Sequence, residues 1–400
     1  MLVRSLVALL FLPLFANAQE RTMRIGLLRD LTVKHALVMS AKGNCTVYAD
    51  GERKGEVQAN DGLRIDVVPG GLTAKSLSLT ISAKHRIEVV PRSNGSGVRL
   101  RSLDHKLAER SYVGGLDVTL VGGAMLFVNE VPIESYTAGV VLAEAGRAQY
   151  IEYYKLQSVS CRTYALTNQR KHLTEGFELC DGVHCQVYHG RNTNDSIRQA
   201  VDATNSLVLV DANIKLIHAL FHSNCGGETM NAEDLWSKSE PYLRATKDTF
   251  CLASAHATWE KSLTRAEWLG YLQRRFNYTK PTDRQLAAVL NYEPQCRDLY
   301  LGNAWPLVPL KHVREDLELR STYFSVHTDG DRIVLKGRGF GHGVGLCQEG
   351  SMRMAQSGFS YTDILHQYYT DVHLVDLGTL DFFREDAPAP EVGIAGPKPK

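Results

Sequence analysis

The chain has no surplus of either charge: Lys and Arg total 45 against 44 for Asp and Glu over 400 residues. Without a net field to gather a polyanion, a nucleic-acid partner is excluded. It also lacks an apolar run of the roughly 20 residues that a membrane-spanning helix needs. No internal repeat is present, and no low-complexity block precedes the last residues. No H-E-x-x-H segment occurs, so the usual carboxylate base of a zinc hydrolase is missing. A metal-dependent hydrolase built on the chain's cysteines and histidines would have to find that base elsewhere.

What is present begins with MLVRSLVALLFLPLFANA: a basic start at Arg4, a short apolar stretch, and small residues at Ala16 and Ala18. That is the anatomy of a cleavable secretory leader over 1–18, and no cysteine follows it to carry a lipid. The reading places the protein across the cytoplasmic membrane, in a periplasm or cell wall. Eight cysteines (Cys45, Cys161, Cys180, Cys185, Cys225, Cys251, Cys296 and Cys347) then face a compartment where disulfides persist, and their connectivity is not legible from spacing.

From 23 to about 101, short β-branched or alternating runs such as HALVMSA and HRIEVV are cut by turn pairs such as Asp50-Gly51 and Asp61-Gly62. These are strand and turn signals. Two more strands, 115–120 and 124–128, lead to Pro132, which suits the first turn of a helix. Over 133–145, Ile133, Thr137, Val140 and Glu144 fall at helical offsets on one stripe. A second helix is expected over 150–170, where Lys155, Arg162 and Gln169 share a face. Strands follow at 206–210 and 216–222, then a helical and loop-rich middle over 232–320 and a strand at 332–335. Helices are expected at 351–356 and at 362–369, the latter with Thr362 as N-cap. The end, EDAPAPEVGIAGPKPK, is Pro-rich and reads as disordered. The fold class is therefore α+β: a β-rich region over 19–105, a mixed domain with a groove over 106–383, and a tail over 384–400.

Four blocks, in order, carry a resemblance: NEVPIESYTAGVVLAE at 129–144, KLQSVSCRTYA at 155–165, FHSNCGGET at 221–229 with NAEDLW at 231–236, and GRGFGHGVGLCQ at 337–348. Together they resemble the stage II sporulation protein D family. Three departures stand out: Ala145 where Met is common, Cys347 where Ser is usual, and a middle over 237–320 that is long for the family.

The resemblance implies a peptidoglycan lytic transglycosylase, cutting between N-acetylmuramic acid and N-acetylglucosamine to leave 1,6-anhydromuramyl ends on strands stripped of stem peptides. Its alternative is a glycan-binding modifier of a cell-wall amidase. In the first case one carboxyl group does both proton transfers, and Glu144 matches it; a group protonated near neutral pH must be buried among apolar neighbours. On residues alone Glu144 is equally a solvated helix-end glutamate.

Lys155 and Arg162 would face the cleft and hold the lactyl carboxylate, against the plainer reading of a solvated basic face. Ser223 and Asp234 would bond sugar hydroxyls, or merely serve as turn and cap residues. His342 would project from a wall thinned by alternating glycines, or bond a carbonyl within it. His172, Cys180 and Cys185, with His184 and His189 nearby, would hold Zn²⁺; a Cys180–Cys185 disulfide, or pairing with Cys225, is the rival. The single-carboxyl mechanism requires no cofactor, so such a zinc ion would shape the groove.

Overall fold

A computed structural model describes residues 21–385, apart from positions 60, 94, 237 and 304. The expected leader over 1–18 and the tail from 386 onward lie outside the described residues, while 384 and 385 end the last helix, Leu377–Glu385.

The alternating runs become strands with one face inward. His35–Ser40 buries Ala36, Val38 and Ser40, and Cys45–Ala49 buries Cys45, Val47 and Ala49. A period of two allows nothing else when only one face meets a core. Two sheets result. One runs Arg110–Val113, Gly97–Ser102, His35–Ser40, Gly62–Val68, Gly71–Lys75, Thr80–Ala83. The other runs Leu179–Cys180, Thr22–Leu27, Ala124–Pro132, Gly115–Val121, Arg86–Pro91, Cys45–Ala49, Glu52–Val57. Gly122 and Gly123, at φ 57° and 80°, make the two-residue turn between Gly115–Val121 and Ala124–Pro132, a conformation open to glycine.

The division expected at 105/106 cuts through these sheets. Arg110–Val113 pairs with Gly97–Ser102, and Gly115–Val121 pairs with Arg86–Pro91. One apolar core runs from Met23 to Leu380, so the β-rich region and the helices behind it are not separate bodies.

Helix α1 (Ile133–Ala145) leaves the strand Ala124–Pro132 directly, with Pro132 as its N-cap. Helix α2 (Ile151–Asn168) packs against it. Arg162 of α2 is fully buried and reaches Glu134 of α1 through Nε to Oε1 at 2.8 Å and Nη2 to Oε2 at 2.5 Å. Its Nη1 donates to the Leu207 carbonyl at 2.9 Å, so one side chain ties α1, α2 and the strand Leu207–Val210 together.

The long middle and the strands just after it share a second core, built by Trp268, Leu272, Leu310, Phe324, Ile333 and Leu335 among others. Its sheet is Thr258–Thr264, Arg332–Arg338 and Phe324–Asp329, all antiparallel. The helical reading of 232–320 holds for Arg265–Phe276, Asp283–Leu290 and Leu310–Asp316 but misses Thr258–Thr264, whose polar residues suit an edge strand.

Three smaller expectations are corrected. The strand over 216–222 shortens to Phe221–His222. The helix at 351–356 begins at Gln348, because the Cys347 sulfur accepts from the Gly350 amide and caps it. The last capped helix is Tyr361–Tyr368, and its N-cap is Ser360, paired with Asp363 in a capping box, rather than Thr362.

Candidate functional site

The stripe of Ile133, Thr137 and Val140 is buried, and it carries Glu144 to the last turn of α1, at the edge of a cleft of about 770 Å³. The rest of α1 is enclosed as well: a Cβ at Gly139 would stand 2.2 Å from the Gly190 carbonyl oxygen, so only glycine fits there. Glu144 is half-buried, and its Oε1 accepts from the Val187 backbone N–H at 2.9 Å. Burial raises its pKa above the ordinary 4.5, with the Val187 bond opposing the shift.

Another part of the cleft forms where Phe221–His222 pairs in parallel with Leu346–Cys347, bringing Ser223 and Gln348 together from segments 125 positions apart. His222 is buried, and its Nδ1 lies 3.2 Å from the Val344 carbonyl, so the proton sits on Nδ1 and Nε2 presents a lone pair. Burial holds that imidazole neutral, with a pKa well below its ordinary value. His222 Nε2, Gln186 Nε2 and Gln348 Nε2 have no protein partner among the described residues, and all three residues line the cleft. Buried polar atoms normally find partners, so these three are unsatisfied in the wall of the cleft rather than displayed on its surface. Trp236 and Phe340, 45% and 40% exposed, give the same cleft two open aromatic faces.

His342 lines the cleft but spends both ring nitrogens on the fold: Nε2 donates to the Phe221 carbonyl at 3.0 Å and Nδ1 accepts from the Val344 amide at 3.1 Å. Burial takes its pKa down to about 4. Ser223 also lines the cleft.

Lys155, Arg162 and Asp234 do not line the cleft. Lys155 pairs with Glu152 at 2.7 Å and lies over the Tyr361 ring, while Arg162 is the buried tie described above. α1 and the strand Leu207–Val210 cover the face at Arg162, while Lys155 stays partly exposed beside Tyr361. Asp234 accepts from Asn231 Nδ2 at 3.0 Å and borders a smaller recess with Lys311 and His312. The cationic residues that do line the cleft are Lys171 and Lys238. Sequence reading missed both, since each sits in irregular backbone without periodicity.

One wall also carries the cysteine and histidine cluster. His172, Cys180, His184 and Cys185 each offer a ligand atom, all within 4.8 Å of one another. Cys185 Sγ lies 3.4 Å from His172 Nε2, and Cys180 and Cys185 are both free thiols. His172 Nδ1 meets Glu175 Oε1 at 2.6 Å, the carboxylate support that metal-binding imidazoles commonly have. Two thiols and two imidazoles at this separation fit tetrahedral Zn²⁺. His184 thus stands beside His172, Cys180 and Cys185 in one cluster, and His189 stays outside it.

The sequence profile described as Stage II sporulation protein matches residues 121–210, a span that holds α1, α2, Glu144 and this cluster. An uncharacterized protein of Brachyspira hyodysenteriae is 31% identical over 273 residues, covering 66% of this chain and 72% of that protein. The stage II sporulation protein D of Bacillus subtilis is 28% identical over 257 residues, covering 60% and 74%. The amidase enhancer of Bacillus subtilis is 26% identical over 287 residues, covering 58% of this chain and 39% of the enhancer.

Proposed function

This chain belongs to the stage II sporulation protein D family, and from that premise we propose that it is a peptidoglycan lytic transglycosylase acting outside the cytoplasmic membrane, with Glu144 as acid and then base. The observation that carries the reading is a half-buried carboxyl with a raised pKa lining a large cleft that also presents the exposed rings of Trp236 and Phe340.

The chemistry follows from one proton. Protonated Glu144 donates to the glycosidic oxygen, which leaves as the 4-hydroxyl of N-acetylglucosamine. The muramyl 6-hydroxyl then attacks the anomeric carbon and gives its proton to the Glu144 carboxylate, restoring the acid. No water is consumed. An internal hydroxyl already beside the reacting carbon has a large effective concentration, so it outruns water once the cleft is filled. Trp236 and Phe340 would stack on sugar faces, and Lys171 or Lys238 would meet the lactyl carboxylate. Zn²⁺ held by His172, Cys180, His184 and Cys185 would supply a fixed tether for the loop that ends at Val187.

A relative named as an amidase enhancer keeps a second reading open to test: glycan binding that stimulates a cell-wall amidase. Mass spectrometry of purified, peptide-free glycan after incubation separates the two. Transglycosylation yields 1,6-anhydromuramyl ends, and Glu144→Gln lowers their formation about 10²-fold or more. Only reducing ends would indicate hydrolysis, and intact glycan would leave the modifier.

A further inference from the structure

We propose that Cys225, Asp248, Cys251 and Cys347 form a second, closed metal site that takes Zn²⁺ or a comparable thiophilic divalent ion. The four residues are 0%, 1%, 0% and 0% exposed, and their ligand atoms all lie within 4.8 Å of one another. Cys225 Sγ is 3.4 Å from Cys251 Sγ and 3.3 Å from Asp248 Oδ2. Bonds of about 2.3 Å to sulfur and 2.0–2.2 Å to oxygen put tetrahedral donors roughly 3.6–3.8 Å apart, so an ion needs an opening of only a few tenths of an ångström.

The surroundings suit bound thiolates and an oriented carboxylate. The backbone N–H groups of Cys225 and Gly350 both donate to Cys347 Sγ, at 3.3 and 3.4 Å. Tyr368 Oη donates to Asp248 Oδ2 at 2.9 Å, and the Phe250 amide donates to Oδ1 at 2.9 Å. No Lys or Arg side chain reaches this buried carboxylate among the described residues. A buried acid without a cationic partner is costly, and a divalent ion would supply the missing charge.

The ligands come from three distant segments: the turn after Phe221–His222, the 3-10 turn Phe250–Ala253 with Asp248 before it, and the end of Leu346–Cys347. With all four positions filled by protein, the ion would be structural, fastening the backbone that presents Ser223 and Gln348 to the cleft. A Cys225–Cys251 disulfide would use two sulfurs and leave Cys347 and Asp248 unexplained.

The test uses the full chain carrying Cys180→Ser and Cys185→Ser, which disables the other cluster. Elemental analysis after purification without chelator should find about one zinc per chain, and replacement by Co²⁺ should give thiolate charge-transfer absorption. Adding Cys251→Ser should abolish both. If that variant fails to fold, the parent's Co²⁺ spectrum and its thiol count decide. An intact mass lower by two hydrogens, with Cys225 and Cys251 linked in a peptide map, would overturn the proposal. So would six reactive thiols on unfolding, the full count left in that chain, with no metal retained after Zn²⁺ loading.

Discussion

The Glu144 carboxylate and the Val187 backbone N–H meet at 2.9 Å across 43 positions of sequence. Val187 lies two residues beyond Cys185, so the loop that carries the cysteine and histidine cluster also aims the proposed acid. A metal ion tethering that loop would therefore act on the proposed chemistry without touching substrate.

If a metal ion ties that loop, removing it should loosen that bond. Chelation, or Cys185→Ser, should speed hydrogen exchange at the Val187 amide and lower kcat more than it raises KM. Unchanged exchange at Val187 would show that the loop holds its shape without metal.

Glu144 also gives a pH signature. Its folded pKa is raised above 4.5, so between 4.5 and the raised value the folded chain binds more protons than the unfolded chain. Stability contributed by this group falls as pH rises through that window. Glu144→Gln removes the cost, so the variant should melt higher than wild type at neutral pH, with the gap closing below 4.5. A gap that does not change with pH would contradict the burial argument. In the wild type, cleavage should decline as pH rises through the same raised value, because the acid must hold its proton.

Arg162→Met should cost about 3 kcal/mol of stability, the low end for a broken buried pair because Glu134 keeps a 22% exposed side chain. Lys155→Ala, at a partly exposed pair, should cost less than about 1 kcal/mol. Chemical denaturation measures both. Loss of glycan binding by a still-folded Arg162→Met protein would return that residue to the cleft.

Trp236→Ala should raise KM for peptide-free glycan several-fold and leave kcat nearly unchanged, since a stacking face binds ground and transition states alike. A fall in kcat alone would mean that the ring shapes the reaction and not the docking.

The sequence alone carried what depends on short range. Periodicity of two and its turn pairs marked most N-terminal strands, although Glu52–Val57, with charged residues in succession, gave no alternation to read. Offsets along 133–144 put Glu144 at the end of a buried stripe because a helix repeats every 3.6 residues whatever surrounds it. Which way a second helix turns its faces is not local: Lys155 and Arg162 share a side of α2, yet α1 and the strand Leu207–Val210 pack over Arg162 and make it a structural tie. Likewise His172, Cys180 and Cys185 are close enough in sequence to suggest one cluster, whereas Cys225, Asp248, Cys251 and Cys347 converge only after parallel pairing of Phe221–His222 with Leu346–Cys347. No spacing rule reaches across 122 residues. Backbone geometry sets the first kind of neighbour, and only the packing of distant segments into one core sets the second.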